Sequence, residues 1–325
     1  MKAWVVRQWC EPEQMSFEEI PTPEPGAGQV LVKVEAAALN FLDTLMIGGR
    51  YQVKPPFPFT PGVEVAGTIA ALGPDSRFKP GMRVCGNVGV GGYATHVLMH
   101  DTAVAAIPDN LDFAEGSALP IVYPTAHACL RGAGRMQPGE TVLVHAGAGG
   151  VGLAAIQLAK VWGAGKILAT AGSAEKLAVC KAHGADEAFD YNSDAWVEQV
   201  KQATGGNGAD IIIDMVGGKI AEGSLRLLAW RGRLIVVGFA GGTIPNLAAN
   251  RLLLKSASAI GVFWGETAKR EPQTVRAVFD DLFGLLAQDR IKPVISHRYK
   301  LSEAPQAMHD LAHRKTHGKV VLVPG

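Results

Sequence analysis

The stretch "TVLVHAGAGGVGLAAIQLAK", from Thr141 to Lys160, decides the fold. An apolar strand runs into Gly147, Gly149 and Gly152, spaced G-x-G-x-x-G, and then directly into a helix with apolar Leu153, Ile156, Leu158 and Ala159. Each glycine has a physical role in such a turn. Gly147 would permit the tight bend, Gly149 would let the backbone approach a pyrophosphate, and Gly152 would let the helix lie close on the strand. The helix N-terminus would present unpaired N–H groups to the anion. Spacing alone is weak evidence; strand, spacing and helix together predict dinucleotide binding.

The next strand selects the dinucleotide. An NAD site carries Asp or Glu about 20 residues past the glycines, where it holds the adenosine ribose. This chain has "LATAGSAEKLAV" there, and Thr170, Ala171, Gly172 and Ser173 are uncharged. No carboxylate at the strand end repels a 2′-phosphate, while Ser173 can donate a hydrogen bond and Lys176 can supply a cation. The expected cofactor is therefore NADPH. The same "SAEK" also reads as a helix start, with Ser173 as N-cap and Glu175 complementing the dipole. Tyr191, in "FDYNSDAW", is a further candidate beside the phosphate.

Outward from this motif the chain changes style twice. Residues 1–119 carry short β-runs between Pro/Gly turns ("KAWVVR", "QVLVKVEAAAL", "EVAGTIAAL", "MRVCGNV", "ATHVLM"), a mostly antiparallel β-rich domain. Residues 120–258 alternate strand and helix ("TVLVHA", "KILATA", "EAFDY", "ADIIIDMV", "RLIVVGFA", "SAIGVF"), which predicts an α/β fold, a doubly wound parallel sheet with helices on both faces. Residues 259–325, with two helix-like segments and a final strand "GKVVLV", are expected to fold back onto the first domain.

Composition bounds the function. The 325 residues are 48% hydrophobic and 19% charged, with a formal net charge of +1, so no global field attracts nucleic acid or anionic lipid. Recognition must be local, which favours a small-molecule partner. The N-terminal "MKAWVVRQWCEPE" breaks its apolar run early, unlike a secretory signal or membrane span, and predicts a cytoplasmic protein with no membrane partner. Cys10, Cys85, Cys129 and Cys180 stand far apart and read as reduced, packed thiols. His309, His313 and His317 have i, i+4 spacing, yet no carboxylate is grouped with them, and they read as a cationic helix end rather than a metal site.

A second stretch, "ALNFLDTLMIGGRY" from Ala38 to Tyr51, sets Asn40, Asp43 and Tyr51 as polar points among apolar residues. They are candidates for an active-site wall; Asn40 and Asp43 are also placed to tie a turn or cap the helix "FLDTLMIG".

The glycine loop, the stretch "ALNFLDTLMIGGRYQVKPPFPFTPGVEVAG" and the terminal "HGKVVLV" together resemble the zinc-independent NADPH:quinone oxidoreductases of the medium-chain dehydrogenase/reductase superfamily, over nearly the whole chain. The resemblance implies a GroES-like domain beside the Rossmann domain, and a homodimer formed through "SAIGVF" as the sixth strand and edge of the sheet. It implies that Ala148, Gly149, Gly150 and Val151 line the pyrophosphate, and that Ser173, Lys176 and Tyr191 meet the 2′-phosphate end. Gly217 and Gly218 would approach the adenosine side; Gly238, Phe239, Val262, Phe263 and Trp264 would contact the nicotinamide half. Asn40, Asp43, Tyr51 and Thr125 would surround the nicotinamide, with Gly318 near the cofactor.

Zinc-dependent relatives need a cysteine and a histidine where this chain has Asn40 and Val63, and the cysteine-rich lobe for a structural zinc is missing, so no metal is expected. Without a Lewis acid, hydride from NADPH suits a quinone or α,β-unsaturated carbonyl, which spreads the developing charge itself. Tyr51 would polarise the acceptor while Asn40 and Asp43 position it, and Phe263, Trp264, Tyr51 and Tyr93 would make an aromatic cleft between the domains. Two other readings fit the same loop: an enoyl-thioester reductase holding its carrier with Arg50 and Lys54, and an NADPH-binding protein without physiological turnover.

Overall fold

A computed structural model describes residues 1–325. In chain order its strands are β1 (Lys2–Val5), β2 (Ser16–Glu19), β3 (Gln29–Ala38), β4 (Glu64–Leu72), β5 (Arg83–Asn87), β6 (His96–His100), β7 (Val104–Ala106), β8 (Thr141–Val144), β9 (Lys166–Ala171), β10 (Glu187–Asp190), β11 (Ala209–Asp214), β12 (Leu228–Val236), β13 (Ser258–Gly261), β14 (Ile295–Lys300) and β15 (Lys319–Val323). They separate into two compact units, 1–121 with 292–325, and 122–291. The return to the first unit therefore begins at Lys292, not at residue 259. The reason is pairing: β13 adds in parallel to β12, and the helix Pro272–Ala287 packs on the helix Val122–His127 of the same unit.

The first unit is a GroES-like domain. Its main sheet runs β14-β15-β3-β4-β5-β7, with β6 also pairing β3. All ladders in it are antiparallel except β14 on β15. The segment that becomes β14, "ISHRYK", alternates too weakly to stand out in sequence; its register on β15 supplies the missing order. The core gathers Val30, Val32, Ile69, Val84 and Met99 from the strands and Met46 and Ile47 from the helix Phe41–Ile47. One consequence matters for function. The end of β3, that helix, the start of β4 and the start of β15 converge on one buried spot.

The second unit is of Rossmann type, with strand order β10-β9-β8-β11-β12-β13 and every ladder parallel. Numbered within the sheet this is 3-2-1-4-5-6, which reverses direction between β8 and β11. Ile211, Ile212 and Ile213 are all fully buried, as a strand covered on both faces requires. The helix Gly150–Val161 starts at the glycine loop and buries Leu153, Ile156, Leu158 and Ala159. Ligands of such sheets bind outside the carboxyl ends of the strands, beside the reversal. The glycine loop sits there.

Candidate active site

The glycine loop is held by contacts that a side chain would destroy. A Cβ on Gly152 would stand 2.5 Å from the Ala146 carbonyl oxygen, and one on Gly147 would stand 2.9 Å from Ala169 Cβ and 3.0 Å from Cys180 Sγ. The left-handed residue of the turn is Ala146, at φ 46°, so the bend expected of Gly147 falls one residue earlier; Gly147 instead gives room to the next strand and helix. Gly149 is the extended N-cap of the helix that begins at Gly150. Ala148 is buried, and Val151 half-buried in the first turn.

At the end of β9, Ser173 caps the helix Ala174–Ala182, its Oγ accepting the Lys176 N–H at 3.3 Å. A hydroxyl both accepts and donates, so capping leaves Ser173 able to donate. The Tyr191 hydroxyl lies 3.2 Å from where a Gly172 Cβ would stand, and Asn192 Nδ2 donates to the Gly172 carbonyl at 3.1 Å. Thus Gly172, Ser173, Lys176 and Tyr191 come together after β9 and β10. After β11, the Val216 and Gly217 N–H groups donate to the buried Asp214 carboxylate at 2.8 and 3.2 Å, shaping a turn with Gly217 at φ 77° and Gly218 at φ 51°. Phe239 Cδ1 would be 2.9 Å from a Gly217 Cβ, so the loop after β12, with Gly238, packs onto that turn. Val262 donates its N–H to Val236 at 2.9 Å; Phe263 is 46% exposed, whereas Trp264 is only 5% exposed. Thr125 is buried in the helix Val122–His127. Trp264 is thus a core residue rather than an exposed aromatic wall.

The first unit holds the other group of candidates, and here the structure revises the expectation. Of the two readings of Asn40 and Asp43, the helix cap holds, and both side chains are buried rather than set on an accessible wall. Asp43 is wholly buried and Asn40 is 8% exposed. Asn40 caps the helix Phe41–Ile47, its backbone N–H donating to Asp43 Oδ2 at 2.8 Å. Its amide is occupied on both ends: Nδ2 donates to Glu64 Oε1 at 2.7 Å, and Oδ1 accepts from Lys319 Nζ at 2.8 Å. The Lys319 ammonium also donates to Glu64 Oε1 and to the Leu39 carbonyl, both at 2.6 Å, and Glu64 Oε2 accepts the Ile121 N–H at 3.0 Å. Tyr93, expected in the cleft, is fully buried with its hydroxyl donating to Asp43 Oδ2 at 3.0 Å. Gly318, at φ 55°, makes the turn into β15 that delivers Lys319 to this cluster.

One cation therefore faces two buried carboxyls. Burial pushes the Asp43 carboxyl up to about 7, against the opposing hydrogen bonds from Asn40 and Tyr93 and the field of Lys319. Its Oδ1 has no hydrogen-bond partner. Glu64 is also raised by burial, although Lys319 pulls it back. Tyr51, half-buried against the core, has its hydroxyl raised by burial and by the charge of Asp43. Sequence reasoning missed Glu64, Lys319, His145 and Asp214. Each is a polar or charged residue at, or just past, one end of an apolar strand, and that was the available signal.

His309 and His313 stack at 3.9 Å on the helix Ala304–Ala312 and its end, but His317 lies beyond that helix, against His297 at 6.5 Å. The three do not share one helical face.

Residues 26–109 match the alcohol dehydrogenase GroES-like domain, and residues 150–282 match the zinc-binding dehydrogenase domain. Over 94% of its length the chain is 38% identical to a quinone oxidoreductase-like protein 2 homolog of Nematostella vectensis, covering 84% of that protein. It is 37% identical to a quinone oxidoreductase of Rattus norvegicus over 99% of this chain and 98% of the other. The chain belongs to the quinone oxidoreductase family of the medium-chain dehydrogenase/reductases. It is an oxidoreductase. Among solved structures, a mycobacterial protein in complex with NADPH superposes at a TM-score of 0.91, with 34% identity and complete coverage of both chains.

One domain description in this family names zinc, and the residues here can be tested against it. A catalytic zinc takes three protein ligands of thiolate, imidazole or carboxylate type. Of the cluster's oxygens, Asn40 Oδ1 and Glu64 Oε1 both accept from the Lys319 ammonium, and Val63 beside them is apolar. Cys85 is fully buried, its thiol pushed up to about 12 by burial and then by Glu64. The donor set does not fit zinc.

Proposed function

We propose that this quinone oxidoreductase family member is an NADPH-dependent, zinc-independent reductase that passes hydride to a quinone or α,β-unsaturated carbonyl. The single observation that carries the reading is an intact glycine loop in a chain where Lys319, rather than a metal ligand, is bonded to Asn40 Oδ1 and Glu64 Oε1. Bound NADPH supplies the hydride. The loop from Gly147 to Gly152 holds the pyrophosphate by backbone N–H groups, and Ser173, Lys176 and Tyr191 take the 2′-phosphate. Gly217, Gly218, Gly238, Phe239, Val262 and Phe263 flank the remainder, and Thr125 and Gly318 stand near it. The NADPH carried by the mycobacterial relative supports this cofactor.

Tyr51 polarises the acceptor oxygen. Asn40 and Asp43 act indirectly, by fixing the helix that ends just before Tyr51. A conjugated acceptor delocalises the charge that hydride transfer creates, so one neutral donor is enough where a simple ketone would need a Lewis acid.

The protein pairs with a second copy through β13. This strand is an edge of the sheet with one side unpaired, and Leu253, Leu254 and Ile244 are more than 70% exposed in the same unit. No helix is long and apolar enough to cross a membrane.

The test is dinucleotide oxidation by the purified protein with a panel of quinones, simple enones, enoyl thioesters and saturated ketones. NADPH consumed with quinones and enones, faster than NADH and not with ketones, is the expected result. Preference for NADH, or turnover confined to enoyl thioesters, would refute it.

A further inference from the structure

We infer that His145 is a positioning residue for the dinucleotide: an imidazole protonated on Nε2 that ties three cofactor-facing turns of the second unit into one rigid body. The inference rests on the proposed reading of that site and names a residue which touches none of the ligand.

His145 directly follows β8, two residues before Gly147, and is fully buried. Its Nδ1 lies 2.8 Å from Thr170 Oγ1 and its Nε2 lies 2.7 Å from Ser224 Oγ. The protons can be assigned by elimination. Ser224 spends its hydroxyl hydrogen on the Ile220 carbonyl, at 2.7 Å, and can only accept from the ring. His145 therefore carries its proton on Nε2, and Nδ1 accepts from the Thr170 hydroxyl. Burial drives the imidazole down to about 3, so the ring is neutral at physiological pH. Trp196 closes the remaining side, edge-on to the imidazole at 5.4 Å.

What the ring joins gives it a role. Thr170 is in β9, two residues before Gly172, and its carbonyl also accepts the Gly147 N–H at 2.8 Å. Ser224 ends the helix Gly218–Ser224, which starts at the Gly217–Gly218 turn. The His145 N–H itself donates to Ile213 at 3.0 Å, next to the Asp214 that shapes that turn. One side chain thus sets the glycine loop, the 2′-phosphate end and the adenosine-side turn relative to one another. An apolar residue would fill the space, as its neighbours in β8 do, but would fix none of these distances.

The two hydrogen bonds can be cut separately. Affinities of the full chain for NADPH and NADH are measured by titration for wild type, Thr170→Val, Ser224→Ala, His145→Asn and His145→Phe, with a melting temperature for each. Losing one buried hydrogen bond is worth roughly a factor of ten in this setting. Thr170→Val should weaken NADPH about tenfold and NADH much less, because it frees the phosphate end. Ser224→Ala should weaken both to a similar degree. His145→Asn, which can keep the Thr170 contact, should resemble Ser224→Ala, and His145→Phe should show both losses. Nitrogen-edited NMR of the imidazole should report one Nε2–H that does not titrate between about pH 5 and 8. Unchanged affinities in variants that melt lower would make His145 purely structural and overturn the inference, as would an Nδ1–H tautomer. A wild-type protein that binds neither dinucleotide would instead defeat the reading of the site, and the inference with it.

Discussion

The glycine loop and the Lys319 cluster are built in opposite ways. The loop is defined by close approaches of neutral atoms, Gly152 to Ala146 within it and Gly147 to Ala169 and Cys180 beyond it. The cluster is assembled from the two ends of the chain, with Lys319 bonding Leu39, Asn40 and Glu64 across 255 to 280 residues. The first tolerates no added volume; the second tolerates no unpaired charge. In the proposed reading that difference separates cofactor binding from the support of Tyr51, and it can be broken at either place.

The largest effect is expected at the loop. Gly152→Val drives a branched side chain into the Ala146 carbonyl and should weaken dinucleotide affinity at least about 100-fold while the first unit stays folded, checked by titration and circular dichroism. Next comes Lys319→Met, which strands Glu64 without its cation. Removing one partner of a buried pair costs about 3–5 kcal/mol. Denaturant unfolding should show that loss, and the double variant Lys319→Met/Glu64→Gln should regain more than half of it. If the double variant is no better, the cluster is not held by charge.

A smaller, pH-dependent effect follows from Asp43. Its carboxyl ionises near 3.8 when unfolded and near 7 when folded, so between these values the native state keeps a proton that the unfolded chain has lost. Its contribution is complete below about 4 and is lost as pH rises to about 7. Asp43→Asn should remove this component, flattening the fall of melting temperature across that window by about 5 °C. Smaller again, Lys176→Ala should raise KM for NADPH about tenfold and leave NADH nearly unchanged. Tyr51→Phe should lower kcat by about tenfold or less with affinity for NADPH intact, because the acceptor carries most of its own charge.

The same contrast explains what could be read from the sequence. The parallel sheet and its glycine loop were legible because strand, spacing and helix lie within twenty consecutive residues, Thr141 to Lys160. Asn40 and Asp43 were read either as an active-site wall or as a cap on the helix that follows, and the cap is what the structure shows. Their partners Glu64, Tyr93 and Lys319 are distant in sequence, and nothing local reveals that burial. Trp264 misled in the same way, since an aromatic after a strand looks alike whether packed or exposed. The boundary at Lys292 was missed because β13 and the helices after it alternate no differently from a returning segment.

The central claim is hydride transfer from NADPH to a conjugated acceptor without a metal. It is tested most directly by turning over 4-deuterated NADPH with a simple enone, using protein treated exhaustively with a chelator, and locating the label by mass spectrometry. The account predicts undiminished turnover with one deuterium on the β-carbon and the carbonyl intact. Deuterium on the carbonyl carbon, or activity that disappears with chelation and returns with zinc, would contradict it.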